Sequence, residues 1–125
     1  MKNLVLAMIA SLSMVGLTSH AGAQTAEPTF KGDPDVYKIV FEDANFRVIE
    51  ATRKKGARDK VHSHPAESVV YNITDCPTKL YDGSGKLVRE DDSKAGMARA
   101  VPVIPAHSAE NTGSGDCRQI FFEKK

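Results

Sequence analysis

Beyond residue 35 the chain carries short stretches in which apolar and polar residues alternate, each closed by a turn signal. "VYKIVF" (36–41) is rich in β-formers and is followed by the turn "EDAN" (42–45). "FRVIEATRK" (46–54) alternates with apolar positions at Phe46 and Val48 and, less cleanly, Glu50, which predicts that this set faces one side of a strand. "KVHSH" (60–64) and "SVVYNIT" (68–74) follow, divided by Pro65. "TKLYD" (78–82) and "KLVRED" (86–91) flank "GSG", a strong hairpin signal. "MARAVPVIP" (97–105) and "HSAENT" (107–112) come next, and "GSGD" (113–116) turns the chain into "CRQIFFE" (117–123). Pro102 and Pro105 would interrupt a central ladder, which places their segment at a rim or an edge. No stretch keeps a helical period over a useful length. Many short strands at regular spacing with glycine-rich turns predict an all-β sandwich or barrel.

The first residues follow a different pattern. Lys2 is followed by an apolar run from Leu4 to Val15, and Ala21-Gly22-Ala23 supplies the small-x-small pattern of a signal-peptidase site. The run falls short of the ~20 apolar residues of a membrane span. Residues 1–23 are therefore expected to be a signal peptide, with the product exported to a periplasm or secreted and free of the membrane after cleavage. Residues 24–35, "QTAEPTFKGDPD", show no apolar period and are expected to form a flexible lead-in to one domain over 36–123.

Removing the first 23 of 125 residues leaves 102, enough for one small domain. The whole chain has 17 basic and 16 acidic residues, and Lys2 leaves with the signal. A balance near zero argues against a nucleic-acid partner or an anionic membrane surface. The run "RKKGARDK" (53–60) is locally basic but is broken by Asp59, and is expected to be a solvated loop. Two cysteines, Cys76 and Cys117, in an oxidising compartment are expected to pair.

Of the four histidines, His20 leaves with the signal and three remain: His62, His64 and His107. Residues two apart on a strand share a face, so His62 and His64 project together and supply half of a first-row metal site. The surrounding spacing extends the pattern. Gly56, five residues, His62, Ser63, His64 comes first; Gly96, five residues, Pro102, one residue, Ile104, two residues, His107, three residues, Asn111 comes later. Here the chain resembles the cupin superfamily, whose motifs read G-x5-H-x-H-x3-4-E-x6-G and G-x5-P-x-G-x2-H-x3-N. The resemblance runs from about Val36 to Phe122, with Ile104 standing where the second motif has glycine. It implies a single-domain jelly-roll β-barrel in which His62, His64 and His107 meet on one divalent transition metal ion. It also implies pairing of barrels into a homodimer through sheet edges.

The first motif departs from the pattern at its carboxylate. Glu67 follows His64 after two residues, and a spacing of three lands on Ser68. Because neighbouring strand residues face opposite ways, either Ser68 points inward and Glu67 outward, or a tighter turn at Pro65-Ala66 makes Glu67 a fourth ligand. Six residues separate Ser68 from Asp75, which stands where the family has its turn glycine, and this register favours the first. Ser68 would then hold a metal-bound water, Asn111 would form a turn or donate from behind the ligands, and Tyr71 would line the pocket. Arg53 and Arg99 could bind an acidic substrate but are expected to be exposed strand arginines. Imidazole-rich sites suit Fe, Cu, Ni or Zn, and the resemblance adds Mn. The functional expectation is a three-histidine metal centre acting on a small molecule, oxygenase-like by analogy with three-histidine iron cupins. The alternative is a non-catalytic module that binds a metal or a small ligand.

Overall fold

The structure, a computed structural model, describes residues 25–125; the expected signal peptide over 1–23 lies outside the described residues. Nine strands follow a single helical turn. They are β1 (Tyr37–Glu42), β2 (Phe46–Arg53), β3 (His62–His64), β4 (Ser68–Asn72), β5 (Cys76–Asp82), β6 (Leu87–Ser93), β7 (Ala98–Val101), β8 (Ile104–Asn111) and β9 (Cys117–Lys124). They form two antiparallel sheets, ordered β1-β2-β9-β4-β7 and β3-β8-β5-β6. Strands adjacent in the chain repeatedly lie in different sheets, as β3 and β4 do, so the chain winds around a shared interior as in a jelly roll.

Tyr37, Ile49, Ala51, Val70, Val101 and Phe121 form the buried apolar cluster, with Phe30, Val36 and Ile104 packed against it. In β2 the inward residues are Ile49, Ala51 and Arg53. Phe46, Val48 and Glu50 therefore share one face, as the alternation predicted, and it is the outer one. The reason is a second apolar surface. Phe41 lies across from Val48, Val48 from Phe122, Phe122 from Val69, and Val69 from Ala100. This row crosses all five strands on the outside of the sheet. Apolar residues on both faces of β2 leave its period without a direction.

Pro102 and Val103 fall between β7 and β8, so the proline ends one strand before the chain enters the other sheet. Gly56 and Gly96, which open the two histidine-bearing segments, have φ of +72° and +80°. A Cβ at either would meet nothing within 4 Å, so the requirement there is for a left-handed turn and not for space.

Within the segment expected to be a flexible lead-in, residues 27–33 form a strap against the barrel. Thr29–Gly32 form one helical turn, the Ser63 amide donates to the Glu27 carbonyl at 2.8 Å, and the Lys60 amide donates to buried Asp33 at 2.9 Å. These bonds pair the outer edge of β3, which would otherwise present open backbone groups.

Cys76, at the start of β5, is bonded to Cys117, at the start of β9, so the bridge joins the two sheets. Replacing both cysteines by alanine is expected to lower stability by roughly 2–4 kcal/mol, through the freedom returned to a loop of 41 residues in the unfolded chain. Urea unfolding of the double variant checks this, and an unchanged midpoint would contradict it.

Candidate metal centre

His62 and His64 project into the barrel from β3, and His107 lies directly across from His62 on β8. Same-face alternation on one strand and a cross-strand pair on the next bring the three imidazoles together. Ring centroids are 4.5 Å apart for His62–His107, 4.9 Å for His64–His107 and 5.3 Å for His62–His64. One ring nitrogen from each lies within 4.8 Å of the others. His62 and His64 are 0% and 2% exposed, and His107 is partly exposed.

The donor set fits a metal ion. His64 Nδ1 and His107 Nε2 are buried without a hydrogen-bond partner. His62 Nδ1 lies 2.8 Å from the Lys60 carbonyl and donates to it, so Nε2 carries the lone pair; Tyr37 Oη lies 3.4 Å from it but gives its proton to Asp59. Three buried nitrogens with free lone pairs are costly unless something accepts them. An ion ~2.1 Å from each nitrogen spans about 4.2 Å at most, so the widest pair must draw in slightly on binding.

Burial lowers the pKa of all three rings. His64 falls to about 2, chiefly by desolvation and then through the neighbouring charges of His107 and His62. Desolvation and His62 take His107 to about 4. His62 is also lowered by desolvation, with Asp59 opposing. Neutral imidazole is the form that binds metal. The same shifts carry a stability sign. Between about pH 6.5 and the folded values, the unfolded chain binds more protons than the folded one, so stability falls as pH falls. Metal-free protein is expected to lose denaturant midpoint steadily from pH 7.5 to 5.5, where carboxylates scarcely titrate. His64→Gln is expected to flatten that slope, and a midpoint flat across the window in the unsubstituted protein would contradict the prediction.

A buried polar cluster lies behind His62. Tyr37 Oη donates to Asp59 Oδ2 at 2.7 Å, Arg53 Nη1 donates to Tyr37 Oη at 3.0 Å and to Asp59 Oδ2 at 3.1 Å, and the Ala109 amide donates to Asp59 Oδ1 at 2.6 Å. Arg53 also donates to Gln119, whose amide continues to Asn72. Arg53 and Asp59 are each 4% exposed, so the basic run is not a wholly solvated loop: its first arginine and its aspartate turn inside as an ion pair. The expectation that Arg53 is exposed is likewise overturned, whereas Arg99 keeps 38% of its side chain accessible. Arg99 pairs across from buried Val70 and shares its inward face.

Glu67 is exposed in the β3–β4 connection, and Ser68 is buried at the start of β4, across from Glu123 and Val101. Among the described residues no carboxylate completes the histidine cluster. Ser68 Oγ has no partner and is absent from the cavity lining that holds His64 and His107. Tyr71 is 43% exposed on the outer face of the five-stranded sheet, across from Ile120, and does not line the pocket. Its strand alternates Ser68, Val70 and Asn72 inward, which sends Tyr71 out. Asn111 is fully buried. It donates to the Arg53, Lys54 and Gly115 carbonyls and accepts from the Gly113 amide, so it fastens the end of β2 to the final turn.

A cavity of about 130 Å³ reaches His64 and His107, with Arg53 and Tyr37 in its inner wall and Arg89 and Arg99 also lining it. Tyr37, Asp59, Arg89 and Arg99 were not assigned to the site from sequence. The inward faces of β6 and β7 hold these two arginines, and that register becomes visible only once the strands are paired.

No protein-family profile matches the chain, and no curated protein matches it in sequence. Solved structures do. A cupin domain from Bordetella pertussis Tohama I superposes with a TM-score of 0.64 at 20% identity, over 79% of this chain and 96% of that one. A protein with a double-stranded β-helix domain from Klebsiella pneumoniae gives 0.56 at 18% identity, over 80% and 83%. A cupin superfamily protein from Desulfitobacterium hafniense gives 0.53 at 7% identity, over 71% and 75%. The chain has the cupin fold.

Proposed function

We propose that this chain is an exported metal-binding cupin whose three-histidine centre acts as a metal-dependent enzyme on a small molecule. The observation that carries the reading is the convergence of three imidazoles, of which His64 and His107 each have a buried nitrogen without a partner and line a cavity. A divalent ion held by His62, His64 and His107 keeps its full charge, because the ligands are neutral and no carboxylate joins them. Such an ion supplies Lewis acidity or, if it is iron, reactivity toward oxygen. Iron, manganese, zinc, copper and nickel all accept such a donor set. Export is supported by the disulfide and by the leader-like start of the sequence, and among the described residues no helix is long and apolar enough to cross a membrane.

The alternative, a non-catalytic module that binds metal or a small ligand, is separated by one experiment. The protein is purified from its native compartment and metal per chain is measured. The anaerobic Fe(II) form is then exposed to oxygen with a panel of small acids. Oxygen uptake stimulated by one compound supports the enzyme. Tight metal without turnover supports the binder, and failure to hold any metal overturns the enzyme and leaves only a module for a small ligand.

A further inference from the structure

We propose that the cavity above the histidines is a binding site for a small carboxylic acid, with Arg99 as the side chain that recognises its carboxylate. The proposal rests on the metal-centre reading for the identity of the inner end of the site, and on independent observations for the arginine end.

Arg99 and Arg89 come from different sheets. β7 is the edge of the five-stranded sheet and β6 the edge of the four-stranded one. Arg99 faces inward opposite Val70. Arg89 lies across from Leu80, which lies across from buried Ala109, so it starts from the inner face, although its side chain is 55% exposed. Both line the cavity with His64 and His107. Asp91 stands between them, 2.9 Å from Arg89 and 3.9 Å from Arg99. Arg53 is neutralised by Asp59. Three arginines therefore meet two aspartates, and with neutral histidines the cavity keeps one positive charge before any metal is counted.

Leu80, Val101, Ile104 and Phe121 supply apolar wall on one side of that charge, while Arg99 stays 38% and Arg89 55% accessible, so solvent screens part of any charge pair formed there. The weaker of the two contacts to Asp91 belongs to Arg99, and its Nε is buried with no hydrogen-bond partner. An unmet buried donor is costly, and a planar guanidinium matches the two oxygens of a carboxylate. A cavity of about 130 Å³ suits an acid of a few carbons. Such a ligand would place an anionic end on Arg99 and its remaining atoms toward the histidines.

The test uses the Co(II)-loaded protein, whose visible absorption reports ligands near the ion, titrated with acetate and with the neutral isostere acetamide. Acetate is expected to bind at least about tenfold more tightly than acetamide, the worth of a charge-assisted hydrogen bond. Arg99→Gln is expected to weaken acetate by a similar factor and to leave Co(II) affinity within about threefold. Arg99→Lys, which keeps the charge and loses the fork, is expected to fall between. Equal binding of acetate and acetamide, or undiminished acetate binding in a folded Arg99→Gln, overturns the proposal. If Arg99→Gln does not fold, the acetate–acetamide comparison and Arg99→Lys decide. If the wild-type protein takes up no Co(II), the metal-centre reading fails by itself. Calorimetry of the metal-free protein then decides the arginine site: acetate binding that depends on Arg99 sustains it, and none overturns it.

Discussion

Replacing His107 by alanine is expected to lower affinity for a divalent transition metal by at least about 100-fold. Loss of a partner that only orients a ligand costs about 10–100-fold, and His107 is argued to be a ligand itself. It supplies one of three nitrogens within 4.8 Å of one another, and its Nε2 has no other partner. His62→Ala is expected to match it, because β3 and β8 place the two rings across from one another. Glu67→Ala is expected to change affinity by less than about threefold, since the carboxylate is exposed outside the cluster. Competition against a chelator of known affinity measures all three, with circular dichroism to confirm folding. Equal losses at His62, His107 and Glu67 would return the carboxylate to the ligand shell. Unchanged affinity in both histidine variants would remove the centre.

The three-histidine cluster was legible because its signal is local and periodic. His62-x-His64 needs only a strand, and the spacing from Gly96 to His107 and Asn111 needs only a motif in the right order. The two registers of the 67–68 pair were also legible, since one residue more or less exchanges Glu67 for Ser68 at the inner face. What the sequence obscured has a common cause. Strand β2 is apolar on both sides, so alternation could not say whether Val48 or Ile49 was the core residue. Tyr71 looked like a pocket aromatic for the same reason, and it belongs to the outer face. Charged residues mislead in the other direction. Arg53 and Asp59 read as surface by residue type, yet the barrel interior holds them because each inward position lies beside a polar neighbour, and Arg99 is half-buried at the cavity. The strap before β1 has no period because it pairs an edge with only a few bonds, and single bonds leave no pattern in sequence.

Removing Asp59 is expected to be the most damaging single change behind the metal centre, for two separable reasons. The first is stability. Asp59 accepts from Tyr37 Oη, from Arg53 and from the Ala109 amide, all out of solvent. Asp59→Ala strands a buried guanidinium, and breaking a buried pair from one side costs about 3–5 kcal/mol. Arg53→Met combined with Asp59→Leu removes both charges and is expected to recover a large part of that loss, as measured by urea unfolding. A double variant as unstable as Asp59→Ala would refute the ion-pair account. The second reason is metal binding. Tyr37 Oη lies 3.4 Å from His62 Nε2, yet its one proton is committed to Asp59. Without Asp59 that proton is free to turn toward His62 and occupy the lone pair a metal requires. Asp59→Ala is therefore expected to lose about 10–100-fold in metal affinity. Adding Tyr37→Phe removes the competing proton and is expected to restore most of it, although the doubly substituted protein is no more stable. If Tyr37→Phe restores nothing, Asp59 supports the centre only through the fold, and the tyrosine proton plays no part in keeping His62 open.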